Sequence, residues 1–154
     1  MKLPNIKYKL ILFILLLSLA SSILLSFVPL SILCTPLEGC NAVQTSSYAQ
    51  TFGIHNSDIG IAIFALMILV TISYIRKPTK QKKNLIRLGI FGGTFISLYF
   101  IYLQKFVIHA WCKYCLVVDI GMLIAFVIIN IPDKKEKSEE IKLDIKPKNV
   151  TRNS

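Results

Sequence analysis

Two sulfurs three positions apart, Cys112 and Cys115 in Ala110-Trp111-Cys112-Lys113-Tyr114-Cys115, stand at the start of an apolar stretch. In the first turn of a helix such a pair is a candidate redox dithiol. Unsatisfied amides and the positive end of the helix dipole favour a thiolate over a thiol, and Lys113 acts in the same direction. Trp111 and Tyr114 are the amphipathic aromatics that concentrate where membrane meets water, so the pair belongs at headgroup depth. A structural zinc half-site and an inert pair are the competing readings of an isolated Cys-x-x-Cys. Two further cysteines, Cys34 and Cys40, could join either kind of chemistry.

The elements that must position these sulfurs are membrane helices. With 154 residues, 54% hydrophobic, and a mean hydropathy of +0.61, the chain is too apolar for a soluble domain of its length. Its net charge of +10 does not indicate nucleic-acid binding, because apart from Lys105 and Lys113 the basic residues fall in three blocks that flank apolar segments. Four spans are predicted, over about 10–33, 59–75, 85–108 and 112–131. Small residues at Ala20-Ser21-Ser22 could suit a signal-peptide cleavage site, but cleavage there would leave the apolar stretch Ile23 to Leu33 exposed, so the first span is read as an uncleaved anchor. Within the loop 34–57, the spacing of Val43, Tyr48, Ala49 and Phe52 predicts a short amphipathic helix over 41–52, ended by Gly53. Gly89, Gly92 and Gly93 would let helices approach closely in the third span. The segment 132–154, with seven basic and five acidic residues, reads as a charged, disordered cytoplasmic tail following a single membrane domain over 1–131.

The basic blocks fix the sidedness. Residues 76–87 carry six basic residues and no acidic one, and the loop 34–57 carries neither Lys nor Arg, so the prediction is a multi-pass protein of the cell membrane with both termini cytoplasmic. All four cysteines then lie on the outer face, where disulfides persist and two dithiols at the ends of adjoining spans can exchange. Structural disulfides remain an alternative, as does a zinc site, for which the Cys34 to Cys40 spacing is wide. Asp119 lies one turn deeper than Cys115 on the same face, and an ionisable group inside a span is a functional candidate by default, the plain alternative being a protonated packing carboxyl.

Cys34-x5-Cys40 after the first span, then Ser46, then Gly53-Ile54-x-Asn56-Ser57-x-x-Gly60 opening the second, and Cys112-x-x-Cys115 opening the fourth, together resemble the prokaryotic branch of the vitamin K epoxide reductase family. The resemblance implies an all-α four-transmembrane-helix bundle around a quinone of ubiquinone or menaquinone type. It implies an enzyme that reoxidises a secreted thioredoxin-like disulfide donor and passes the electrons through two cysteine pairs to the quinone. On that pattern Cys115 faces the quinone, Cys112 takes electrons from the loop, Cys34 shuttles to Cys112 and Cys40 meets the partner. Asn56 matches a position that hydrogen-bonds a quinone oxygen, and Ser46 a loop serine near the active site. Asp119 stands where vertebrate members have tyrosine, so quinone binding there does not carry over directly; here it is a candidate proton-handling group in the quinone pocket. The chain shows no fused thioredoxin-like domain, which implies a separate protein partner. A non-enzymatic membrane protein with structural disulfides or zinc, and an enzyme that reduces a quinone or epoxide for its own sake, are the rival functions.

Overall fold

The computed structural model describes residues 6–29, 32 and 39–131; Cys34 and the predicted tail over 132–154 lie outside the described residues. The bundle consists of α1 (Ile6–Phe27), α3 (Asn56–Arg76), α4 (Lys80–Tyr102, extended by a π turn over Leu103–Val107) and α5 (Lys113–Asn130). All four are long and apolar enough to cross a membrane. Between α1 and α3 lie a short helix α2 (Gly39–Thr45), a 3-10 turn (Ser47–Ala49) and a hairpin of β1 (Gln50–Thr51) and β2 (Ile54–His55).

α1 shows how sequence becomes packing. Its buried residues Tyr8, Ile11, Leu15, Ser18 and Ser22 recur at alternating steps of three and four, which draws one seam along the helix. That seam packs between α3 and α5, α5 packs on α4, and α4 closes the ring against α3. Only 22–28% of each span is buried, so the exposed Phe13, Leu66, Leu69 and Phe95 are the surface offered to lipid. The last regular bond of α1 is Val28 N–H to Leu24 O, because Pro29 has no N–H to continue the ladder and disfavours helix at the residue before it. The helix therefore stops short of the predicted 33. At the other end, Lys7 Nζ donates to Ile131 O at 2.8 Å, so the start of α1 and the end of α5 share one face of the bundle.

The interior is graded. Near the α1 start it is mainly apolar, with Tyr8, Ile11, Leu15, Ile86, Ile90, Ala125 and Ile129 around the buried Thr71 and Lys83. Towards the opposite end Ser18, Ser22, Thr94, Ser97, Gln104 and Asp119 are buried instead. Gly89 and Gly93 do let neighbours in, since a β-carbon at either would run into Met67 of α3 or Met122 of α5.

The predicted surface helix over 41–52 is half right. It ends at Thr45, where the Thr45 hydroxyl donates to Asn41 O and the Ser46 hydroxyl to Val43 O, an alternative to the helical ladder that such side chains favour. Phe52 and Gly53 then take φ of 54° and 81°, the left-handed pair of a tight hairpin turn. Gly53 thus turns a hairpin rather than stopping a helix. The third span begins earlier than predicted, at Lys80, which draws part of the basic block into the helix and leaves a connection of residues 77–79.

Candidate functional site

The sulfurs meet at the polar end of the bundle. The chain leaves α4 through the π turn, where Ile108 N–H bonds Leu103 O at 2.8 Å, and reverses at His109, whose φ of 52° is a left-handed position that His tolerates better than most residues. This tight turn delivers Cys112 as the N-cap of α5: its sulfur accepts the N–H of Cys115 at 3.3 Å.

α2 comes down on that turn. A β-carbon at Gly39 would stand 2.5 Å from the backbone nitrogen of Trp111, so only glycine allows this approach, and the next residue, Cys40, is placed with its Sγ 3.9 Å from Cys112 Sγ. Both sulfurs are buried, Cys112 at 0% and Cys40 at 2% exposure, in a cluster closed by Leu25, Val43 and Tyr114. Cys40 is disulfide-bonded, its other half lying outside the described residues, whereas Cys112 and Cys115 are free thiols. Gly39→Ala is therefore expected to push α2 off the turn. Exchange between the loop sulfurs and Cys112 should fall by about ten-fold or more, as small misplacements of reacting groups do, measured as the rate at which the loop disulfide equilibrates with Cys112 and Cys115.

Hydrogen bonds tune the pair. The Cys115 thiol, followed by the Cys115 peptide N–H, Gln44 and the Tyr114 backbone, lowers the Cys112 thiol from its ordinary 9.0 to about 7, against burial, which pushes it up. Cys115 is only half-buried, and Gln44 Nε2 donates to its sulfur at 3.4 Å. Beneath Cys112, Gln104 accepts the Cys112 N–H at 3.0 Å and donates to Asp119 at 3.3 Å, and the Ser97 hydroxyl also bonds Asp119.

On the far side of Leu25 and Gln44 from the sulfurs, a cavity of about 300 Å³ opens between the end of α1, α2 and the start of α3, and Cys115 does not line it. Its lining includes Leu25 and Gln44, which also border the sulfur cluster, together with Ser26, His55, Ser57 and Asp58. Ser26 donates to Asp58, tying α1 to α3 across it. The cavity lining mixes the apolar Leu25, Phe27, Val28 and Pro29 with hydroxyl, imidazole and amide groups and the Asp58 carboxyl.

The residues expected at the site are distributed unevenly. Cys40, Cys112 and Cys115 come together, while Asn56 and Ser46 face the loop. Asn56 donates from Nδ2 to Tyr48 O and accepts from the Thr51 hydroxyl, both at 2.7 Å, so its amide latches the hairpin, and its neighbours His55 and Ser57 line the cavity in its place. Ser46 closes α2 on Val43 O. Asp119 sits under Cys112, held by Gln104 and Ser97, and does not line the cavity. Cys40, which the resemblance assigns to the protein partner, is a buried sulfur beside Cys112, while Cys34 lies outside the described residues. Gln104, Gln44 and Gly39 escaped the sequence reading. Only Gln104 left a trace, as an uncharged polar residue within a span, seven positions after Ser97.

Among the described residues no group of three or more His, Cys, Asp or Glu side chains is placed to hold a metal ion. No curated protein matches the chain. The model of the vitamin K epoxide reductase family matches residues 9–130, which covers three spans whole, the first from residue 9 onward, and the three described cysteines. The chain belongs to the vitamin K epoxide reductase family, membrane oxidoreductases whose chemistry involves quinones.

Proposed function

We propose that this protein is a quinone-dependent thiol-disulfide oxidoreductase that reoxidises a separate, secreted thioredoxin-like protein and so sustains disulfide bond formation. The observation that carries the reading is the 3.9 Å contact between Cys40, which is in a disulfide, and Cys112, which is a free thiol beside a second free thiol. A pair of structural staples gives no reason for a free dithiol with a lowered thiol pKa against a disulfide-bonded sulfur.

The electron path is two successive exchanges. The partner's dithiol reduces the Cys34–Cys40 disulfide and leaves with a disulfide of its own. Cys40 thiolate then attacks Cys112 of an oxidised Cys112–Cys115 pair, forming the Cys40–Cys112 bond and releasing Cys115 thiolate. Cys34 thiolate attacks Cys40, closing Cys34–Cys40 and releasing Cys112 thiolate. A leaving thiol of low pKa departs faster, and Cys112 at about 7 is that leaving group. Cys34, rather than the buried Cys40, is the sulfur for the partner on this reading. The quinone, of ubiquinone or menaquinone type, takes the two electrons and two protons of the Cys112 and Cys115 thiols as their disulfide re-forms. The chain's own contribution there is to hold Cys115 against Gln44, which lines the cavity where Ser26, His55 and Ser57 can orient carbonyl oxygens. This reading puts the cysteines on the outer face of the cell membrane and the termini in the cytoplasm, and the basic residues 76–87 at the opposite end of the bundle support it.

Alkylation of the thiols in isolated membranes tests this. Cys112 and Cys115 should be protected as a disulfide when quinone is added and free when quinone is withdrawn; labelling that ignores quinone contradicts it. The pH dependence is a second check. In a Cys34→Ser/Cys40→Ser variant the first thiolate should appear, by ultraviolet absorbance, as pH rises through about 7, because Cys112 is protonated below that value and ionised above it. A first ionisation near 9 would remove the tuned leaving group.

A further inference from the structure

The amide of Gln104 is 2% exposed and is engaged at both ends. A peptide N–H can only donate, so the amide oxygen must face Cys112, the amide nitrogen must face Asp119, and the carboxyl oxygen there must accept. Ser97, seven residues before Gln104 on the same face of α4, supplies Asp119 with another hydrogen bond. A three-part chain of buried side chains therefore ends on one backbone atom, the nitrogen of Cys112.

That atom is one that helix caps often leave to a partner. The Cys112 sulfur does what a capping oxygen does by accepting the N–H of the third helical residue, Cys115. In a capping box, the side chain at that third position reaches back to the N–H of the cap residue. Here the third residue is Cys115, a thiol already bonded by Gln44. The acceptor arrives from a different helix, and it ties the backbone of Cys112 to α4. A sulfur taken up in a disulfide is no longer free to stay in its cap position, whereas the bond from Gln104 does not involve the sulfur at all.

We infer that Gln104 is a positioning residue for the sulfur hand-off, anchoring the Cys112 backbone, with Asp119 and Ser97 behind it, so that Cys112 Sγ stays within reach of both Cys40 and Cys115 as its bonds change. The inference rests on the proposed electron path and names what fixes its central atom. It also gives Asp119 a task, which is to orient the Gln104 amide.

The test uses full-length protein in membranes with the substitutions Cys34→Ser and Cys115→Ser, which leave Cys40 and Cys112 as the two thiols. Diamide oxidises them: the thiols lose two electrons and two protons, a Cys40–Cys112 bond forms, and the diazene becomes the hydrazine. Neither quinone nor protein partner takes part. With Gln104 in place the crosslink should form readily. Gln104→Leu leaves the Cys112 N–H buried without an acceptor and should slow it by about ten-fold. Gln104→Glu should slow it too, by setting two carboxyls against each other. Adding Asp119→Asn to Gln104→Glu exchanges amide and carboxyl while keeping both contacts, and should restore the rate to within about three-fold. A merely structural Gln104 would change heat stability without this reciprocal rescue. Crosslinking that ignores Gln104→Leu, or a double variant no faster than Gln104→Glu, overturns the inference; if Gln104→Leu fails to assemble, the Gln104→Glu comparison decides. Absence of any crosslink with Gln104 present would overturn the electron path itself.

Discussion

Cys112→Ala is expected to lower quinone-coupled thiol oxidation by roughly a thousand-fold or more, the scale on which a removed nucleophile is felt, with the four-helix bundle still folded. Two magnitudes separate these effects. Losing the sulfur removes a cap on α5, which costs about 1 kcal/mol, and leaves a hole the size of one sulfur atom in a cluster of Leu25, Val43 and Tyr114. The helical core, from Tyr8 to Ile129, does not include it. Turnover should vanish because both the exchange with the loop pair and the re-formation of the inner disulfide pass through this atom: it is 3.9 Å from Cys40 and accepts the N–H of Cys115. Cys115→Ala should be as severe, since no second electron can be delivered without it. Turnover with a reduced partner protein, alongside a thermal unfolding curve, measures both consequences. Turnover within ten-fold of the parent in either variant would refute the assignment.

Cys40→Ala should divide the activity in two. Oxidation of the protein partner is expected to fall by at least about a hundred-fold, while a small dithiol able to reach the half-exposed Cys115 region continues to be oxidised at close to the parental rate. The geometry behind this is that α2, set down on Trp111 through Gly39, brings a loop sulfur to Cys112, and meets the sulfur cluster also through Gln44 and Val43, which Cys40→Ala leaves in place. Cys34→Ala should also lose oxidation of the protein partner, because a Cys40–Cys112 bond formed without Cys34 cannot be resolved forward, and there the small dithiol is oxidised only as fast as it cleaves that bond. Equal loss with both reductants in Cys40→Ala would mean that the loop cysteines hold the inner site together and do not relay.

Much of this was legible in the sequence because membrane solvent simplifies the problem. Apolar runs of sufficient length must be helices, so four spans follow from composition, and the three described cysteines meet at one end of the bundle. The loop was harder, since its structure depends on local competition: the hydroxyls of Thr45 and Ser46 ended a helix whose apolar spacing ran on to Phe52. Asn56 illustrates a different limit. Its position beside the second span suited a ligand contact, but a side-chain amide bonds whatever backbone is nearest, and the hairpin brings Tyr48 and Thr51 to it. Gln104 was missed because its importance lies in a contact across eight residues of irregular chain, through a π turn and a left-handed His109 that no periodicity encodes.

The most direct test of the relay is the order in which four thiols become oxidised. Fully reduced protein in membranes is given quinone and quenched at intervals with a mass-tagged maleimide. In the parent, protection should appear first at Cys112 and Cys115 and then, after a lag, at Cys34 and Cys40, with quinone consumed at each stage. In Cys112→Ala the loop pair should stay reduced however long quinone is present. Oxidation of Cys34 and Cys40 by quinone in that variant would contradict an electron path that runs through Cys112.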